Sequence, residues 1–181
     1  MLTTSSLGLK KMIRRITLIA VATIFFYVYG ESSTYIQNIP FYLLFVGDTS
    51  FGENYQTRIA QRGGTNILES KGYEYSLKKL SPLLHQSDLV IANLETTLTD
   101  LSFSPLADKK KYIHWSDVNI SPRILKKHNI NVVSLANNHT LDYGVEGLHQ
   151  SIQTLENNGI QFLGAGLNEV NAAQPFRFDL E

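Results

Sequence analysis

The stretch Val132 to Gly144 restricts the possible folds more than any other part of the chain. Val132 to Leu135 reads as a short buried strand, and Asn137, Asn138, His139 and Asp142 follow it directly. Such side chains gain little from packing. They gather where a parallel strand ends, because the backbone there opens into the crevice at the carboxyl edge of an α/β sheet. From Gly144 onward, Leu148, Ile152 and Leu155 fall on one face of a helix expected to run to Asn158 and to stop at Gly159 in a left-handed cap. The unit is strand, polar loop, helix.

Two earlier stretches carry the first part of this pattern. Phe41 to Val46 is a continuous apolar run ending at Gly47-Asp48, short enough for a strand buried on both faces. Leu89 to Ala92 is another, ending at Asn93-Leu94-Glu95. Between them, residues 54–72 are polar and poorly periodic and read as loop with one helical turn. Leu77, Leu80 and Leu84 then mark an amphipathic helix from Tyr73 that Pro82 must kink or restart. Residues 99–117 have no clear period. Within them, Asp108-Lys109-Lys110-Lys111 reads as a solvated surface ahead of a phosphate site, and His114-Trp115 as ordinary packing ahead of the lining of a ligand cleft. Ser121-Pro122 supplies an N-cap and a first-turn proline for a short helix to His128. A fourth strand is expected at Gln161 to Leu163, before the turn Gly164-Ala165-Gly166. Strands and helices alternating at this spacing make parallel crossover units, and no internal repeat is visible.

The 181 residues, 43% of them hydrophobic, suffice for one good core and argue for one domain. Lysine plus arginine equals aspartate plus glutamate at 16 each, so no overall field attracts nucleic acid, and a nucleic-acid partner is not expected. Cysteine is absent, which excludes disulfides, thiolate metal sites and cysteine nucleophiles. Residues 1–30 are set apart from the fold: Lys10, Lys11, Arg14 and Arg15 precede the uncharged run Ile16 to Gly30, with Phe25, Phe26, Tyr27 and Tyr29 crowding its far end. That pattern fits a signal anchor that stays in place as a single-pass membrane helix, or a signal peptide that is cleaved to leave a secreted protein. The basic residues put the remainder of the chain outside the cytoplasm. Residues 31–40 read as a linker, and residues 41–181 as the folded domain.

Parallel crossovers bring the strand ends to a common edge, so Asp48, Asn93, Glu95, Asn137, Asn138, His139 and Asp142 are expected to converge there. Carboxylate, carboxamide and imidazole donors suit one or two divalent cations such as manganese, iron or zinc. Two such ions ~4 Å apart clamp a phosphoryl group and lower the pKa of bound water. Each residue also has an ordinary explanation. Asp48 can close a turn, Asn93 can bond neighbouring backbone, Asn137 or Asn138 can cap the next helix, and His139 can be structural. Asn138-His139-Thr140 also matches a glycosylation sequon.

The series Gly47-Asp48, Ser87 to Glu95, Ser134 to Gly144 and Gly164-Ala165-Gly166 resembles the bacterial capsule synthesis protein CapA family, associated with poly-gamma-glutamate production and related to calcineurin-like metallophosphoesterases. The resemblance covers Phe41 to the end. It implies a metallophosphoesterase-like αββα sandwich and extracytoplasmic, membrane-linked work on an anionic capsular polymer, beside other capsule synthase subunits. By the same resemblance Asp48, Asn93, Glu95 and Asn138 are metal ligands, and His139 is the catalytic histidine that serves the leaving oxygen. Asn137 and Asp142 stand as substrate-binding residues. Two departures weaken the cluster's charge: Ser50 stands where the first motif would carry histidine, and Asn93 replaces an aspartate. The family pattern closes its site with histidines from a second half of the fold. Phe176 to Glu181 reads as the beginning of another strand, so the expectation is an N-terminal half only, truncated and inactive as a phosphoesterase by itself. The alternative is a non-catalytic component that holds or exports the polymer.

Overall fold

The computed structural model describes residues 40–179. The leader expected over residues 1–30, and the linker apart from Pro40, lie outside the described residues. Among the described residues no helix is long and apolar enough to cross a membrane.

The chain runs β1 (Leu43–Thr49), α1 (Glu53–Gln61), α2 (Ile67–Lys71), α3 (Glu74–Leu77), α4 (Ser81–His85) and β2 (Leu89–Leu94). It continues through β3 (Thr97–Leu98), β4 (Trp115–Ser116), α5 (Ser121–Lys127), β5 (Ile130–Ser134), α6 (Gly144–Asn157), β6 (Gln161–Leu163) and α7 (Glu169–Ala172). Four strands form one sheet in the order β1-β2-β5-β6, every adjacent pair parallel, as the alternation of elements requires. The short β3 and β4 pair separately, also in parallel.

One face of the sheet carries the core. Val90, Ala92 and Leu94 from β2 join Ile130, Val133 and Leu135 from and just after β5. Leu148, Ile152 and Leu155 of α6 close over them on the face that their spacing defined. Leu155 is wholly buried, and its truncation to alanine would cost about 2–5 kcal/mol. Gly159 ends α6 with φ 62°, the left-handed value expected of it. Gly147 is needed for a different reason: a Cβ there would lie 2.9 Å from the Thr97 methyl, so its absence lets α6 approach β3 closely. Ser151 Oγ then accepts the Leu98 N–H at 2.9 Å.

Several expectations are corrected. β1 begins at Leu43, continues through Asp48 to Thr49, and is not buried on both faces: Leu43 is 47% and Phe45 68% exposed. It is an edge strand with a neighbour on one side only, and among the described residues no second layer covers its outer face. Residues 54–72 are not mainly loop; they hold α1 and α2. Periodicity missed α1 because it is anchored by a polar residue, the buried Glu53. That carboxylate accepts from Ser116 Oγ (2.9 Å), Ser121 Oγ (3.0 Å) and the Asp117 N–H (3.1 Å). Burial pushes the Glu53 carboxyl above its ordinary range, and these bonds pull it back. Ser121 is therefore not the N-cap of α5; its hydroxyl goes to Glu53, while Asp117 Oδ1 takes the Asn119 and Ile120 N–H groups, each at 2.7 Å. Of the two outcomes expected at Pro82, the structure has the restart: α3 ends at Leu77 and α4 begins at Ser81. Residues 176–179 are irregular, not the start of a strand.

Candidate functional site

The site follows from strand register. Asp48 of β1 lies beside Asn93 of β2, Asn93 beside Ser134 of β5, and Ser134 beside Leu163 of β6, forming one row across the carboxyl end of the sheet. In this row Asn93 Nδ2 donates to Asp48 Oδ1 at 2.7 Å. Asn137 Nδ2 donates in turn to Asn93 Oδ1 (3.1 Å) and to the Leu94 carbonyl (2.9 Å). Asn137 Oδ1 accepts the His139 N–H at 2.9 Å and the Thr140 hydroxyl at 3.2 Å. Every donor in this line points the same way, from the His139 backbone toward the Asp48 carboxylate. Three loops far apart in sequence are thereby joined.

Behind the line is a buried charge. Asp142 is wholly buried, and its carboxylate accepts from His139 Nδ1 (2.7 Å), the His114 N–H (2.6 Å) and Lys110 Nζ. A carboxylate only accepts, so Nδ1 of His139 donates, and the second ring nitrogen, Nε2, is left free of this bond. Lys110 Nζ stands 3.4 Å from the same Nδ1, which is two donors sharing one carboxylate and not a bond between them. Lys110 also donates to the Asn138 carbonyl at 2.6 Å. The His114 ring lies flat on that of His139, centroids 3.8 Å apart and planes 3° from parallel, with its own Nδ1 turned to the Glu95 carbonyl at 3.3 Å. Among the described residues the Nε2 of neither ring has a partner.

The structure therefore brings Asp48, Asn93, Asn137, His139 and Asp142 into one bonded network. Glu95 joins it through its backbone and is half-buried, its carboxylate unbonded among the described residues. Asn138 is exposed, and its carbonyl, not its side chain, is engaged. Asp142 cannot serve as a substrate contact: it is sealed from solvent and instead orients His139. Asn137 does not cap α6, whose N-cap is Tyr143; both ends of its amide are spent on the network. Ser50 Oγ accepts the Gly52 N–H at 3.1 Å and closes a local turn. Sequence reasoning missed Lys110 and His114. The available signal was a long aperiodic loop holding both, since loops of that length without structure of their own are usually functional.

The donors suit a hard divalent cation only in part. Asp48 and Glu95 offer carboxylate oxygens, and Asn93 and Asn138 offer amide oxygens, a set that such ions accept. The amide of Asn93, however, is engaged at both ends, and among the described residues no three His, Asp or Glu side chains converge closely enough to hold a metal ion.

A parallel α/β sheet with a polar network at its carboxyl rim defines the class of site. Residues 42–181 match the family described as bacterial capsule synthesis protein PGA_cap. The chain is 28% identical over 134 residues to the PGA biosynthesis protein CapA of Bacillus subtilis, and 30% identical over 138 residues to the capsule biosynthesis protein CapA of Bacillus anthracis. Those matches cover 74% and 73% of this chain, and 32% and 30% of the relatives. A probable polyglutamine synthesis accessory protein of Mycobacterium tuberculosis is 38% identical over 82 residues, 44% of this chain and 20% of that protein. The chain belongs to the bacterial capsule synthesis protein family, and it spans about a third of the length of the two CapA relatives.

Proposed function

We propose that this chain works outside the cytoplasm in the biosynthesis of an anionic capsular polymer of the poly-gamma-glutamate type, and that its rim is a phosphoesterase-like hydrolytic site. The run Ile16 to Gly30 anchors it in the membrane, or directs its secretion if cleaved, and other synthase subunits are its partners. The observation that carries the hydrolytic reading is the Asp142–His139 pair. An imidazole held at Nδ1 by a buried carboxylate presents Nε2 to exchange a proton with a substrate oxygen. Asp142 sets the tautomer and the ring's orientation, Lys110 offsets the buried charge, and Asn137 fixes the His139 backbone. Asp48, Asn93, Glu95 and Asn138 would hold a divalent cation, manganese, iron or zinc, whose contribution when bound is to polarise a substrate oxygen and acidify water.

The test is metal content of the purified full chain, followed by hydrolysis of a generic phosphoester by wild type, His139→Ala and Asn138→Ala. Turnover that falls about 100-fold in His139→Ala supports the reading. Turnover indifferent to both substitutions overturns it. The second reading, a component that holds the polymer without cleaving it, is favoured by the lack of three converging metal-ligand side chains among the described residues. Polymer binding without turnover would decide for it.

A further inference from the structure

Lys110 borders a cavity of about 290 Å³, which Arg58, Lys111, Phe103, Trp115 and Tyr143 also line. No Asp or Glu lines it. The charge of Lys110 is offset by Asp142, but Arg58 and Lys111 have no carboxylate partner among the described residues. In a chain whose acidic and basic residues balance at 16 each, three cations around one cavity without an acid are not a consequence of composition. Folding assembles them: Arg58 comes from the last turn of α1, and the two lysines come from the loop before β4. The aromatic side chains give the cavity an apolar wall. Cations paired with an apolar wall recognise a carboxylate borne on a short aliphatic stem, the cations taking the charge and the rings the methylenes. Inorganic phosphate would use the cations and leave the rings idle.

We propose that this cavity is a binding subsite for side-chain carboxylates of an acidic chain, placing one stretch of it beside His139. The source of that ligand rests on the capsular-polymer reading above; the carboxylate chemistry rests on the cavity. At about 290 Å³ it lies just below the ~300–1,000 Å³ range of ligand sites, room for one or two residues and not for a long segment.

Trp115 is the only tryptophan of the chain, so its fluorescence reports on this cavity directly. The full chain is titrated with gamma-linked glutamate oligomers, with alpha-linked ones, and with inorganic phosphate. A saturable change with glutamate oligomers is expected. It should weaken roughly fivefold in the double variant Arg58→Gln, Lys111→Gln, the effect of losing two partly exposed ion pairs. Both residues are exposed, so the variant leaves the core alone. A response confined to gamma-linked oligomers supports a capsular source, and an equal response to both linkages supports a general acidic-peptide site. No response, a response unchanged in the double variant, or tighter binding of phosphate overturns the proposal. His139→Ala separates it from the hydrolytic reading. Oligomer binding by an inert protein sinks the hydrolase alone, and turnover without any response of Trp115 sinks the subsite alone.

Discussion

Asp48 and Asp142 are both carboxylates at the functional edge of the sheet, yet their surroundings are opposite. Asp48 is exposed, and its one side-chain donor is the Asn93 amide. Asp142 is sealed from solvent and takes two charge-bearing or ring donors and one backbone N–H. An exposed acid with spare lone pairs is available to a ligand. A buried acid with its oxygens spent can act only through the groups it holds. On the function proposed above, the difference separates two duties along the rim, capture at Asp48 and orientation at Asp142, with the carboxamide line through Asn93 and Asn137 between them.

The comparison breaks most visibly on removal of the buried member. Asp142→Ala leaves Lys110 and the His139 and His114 donors facing an apolar void, and we expect a loss of about 3 kcal/mol in urea unfolding. Asp48→Ala, by contrast, should stay within about 0.5 kcal/mol of wild type, while abolishing whatever cation or ligand affinity the rim has. Equal losses in the two variants would refute the division of duties.

Asn137 tests the connection. Its amide makes bonds at both ends, so Asn137→Ala should cost about 1–2 kcal/mol, less than Asp142→Ala and more than Asp48→Ala. Because it frees the His139 N–H, its catalytic effect should exceed its effect on stability; phosphoester turnover and urea unfolding of the same sample check this. Asn93→Asp sharpens the comparison from the other side. It sets a second carboxylate beside Asp48, trading a bond for repulsion in the absence of metal. Added manganese should then raise the melting temperature of the variant more than that of wild type, by up to about 2.7 kcal/mol of stabilisation at 100 times the dissociation constant. An identical response would show that the rim does not bind cations through this pair.

Much of this arrangement was legible in the sequence because its strands are short apolar runs with polar residues at their ends. That pattern is usual where a parallel strand opens onto a crevice, and it pointed to the four strands of the main sheet and the convergence of Asp48, Asn93 and His139, while the spacing of Leu148, Ile152 and Leu155 pointed to helix α6. The rest depended on contacts that no local period encodes. Helix α1 is pinned by Glu53, a charged residue that hydropathy assigns to the surface. The Lys110 run looked solvated because its value lies in Asp142, 32 positions away. His114 enters the site through β4, a two-residue strand too short to leave a pattern. Leu43 and Phe45 looked doubly buried because apolar sequence cannot say whether a second layer is present on the outer face.

The smallest expected effect lies outside the site and sets the baseline for any pH study of it. His128 is buried, and among the described residues neither ring nitrogen has a partner. Burial holds its pKa below the ordinary histidine value; Glu74 opposes that, and His85 and Lys127 add to it. His85 approaches with its ring centroid at 6.3 Å. The unfolded chain therefore takes up this proton first, so the stability that His128 contributes is complete above about pH 6.5 and is lost as pH falls through the folded value. Glu53 works in the opposite sense: its carboxyl is raised, the folded state takes the proton first, and stability increases as pH falls toward the ordinary carboxylate range. Substituting His128→Phe should abolish the loss below about pH 6.5 and leave the gain from Glu53 visible in urea midpoints measured down to about pH 5. Should the loss persist in that variant, His128 is not its source.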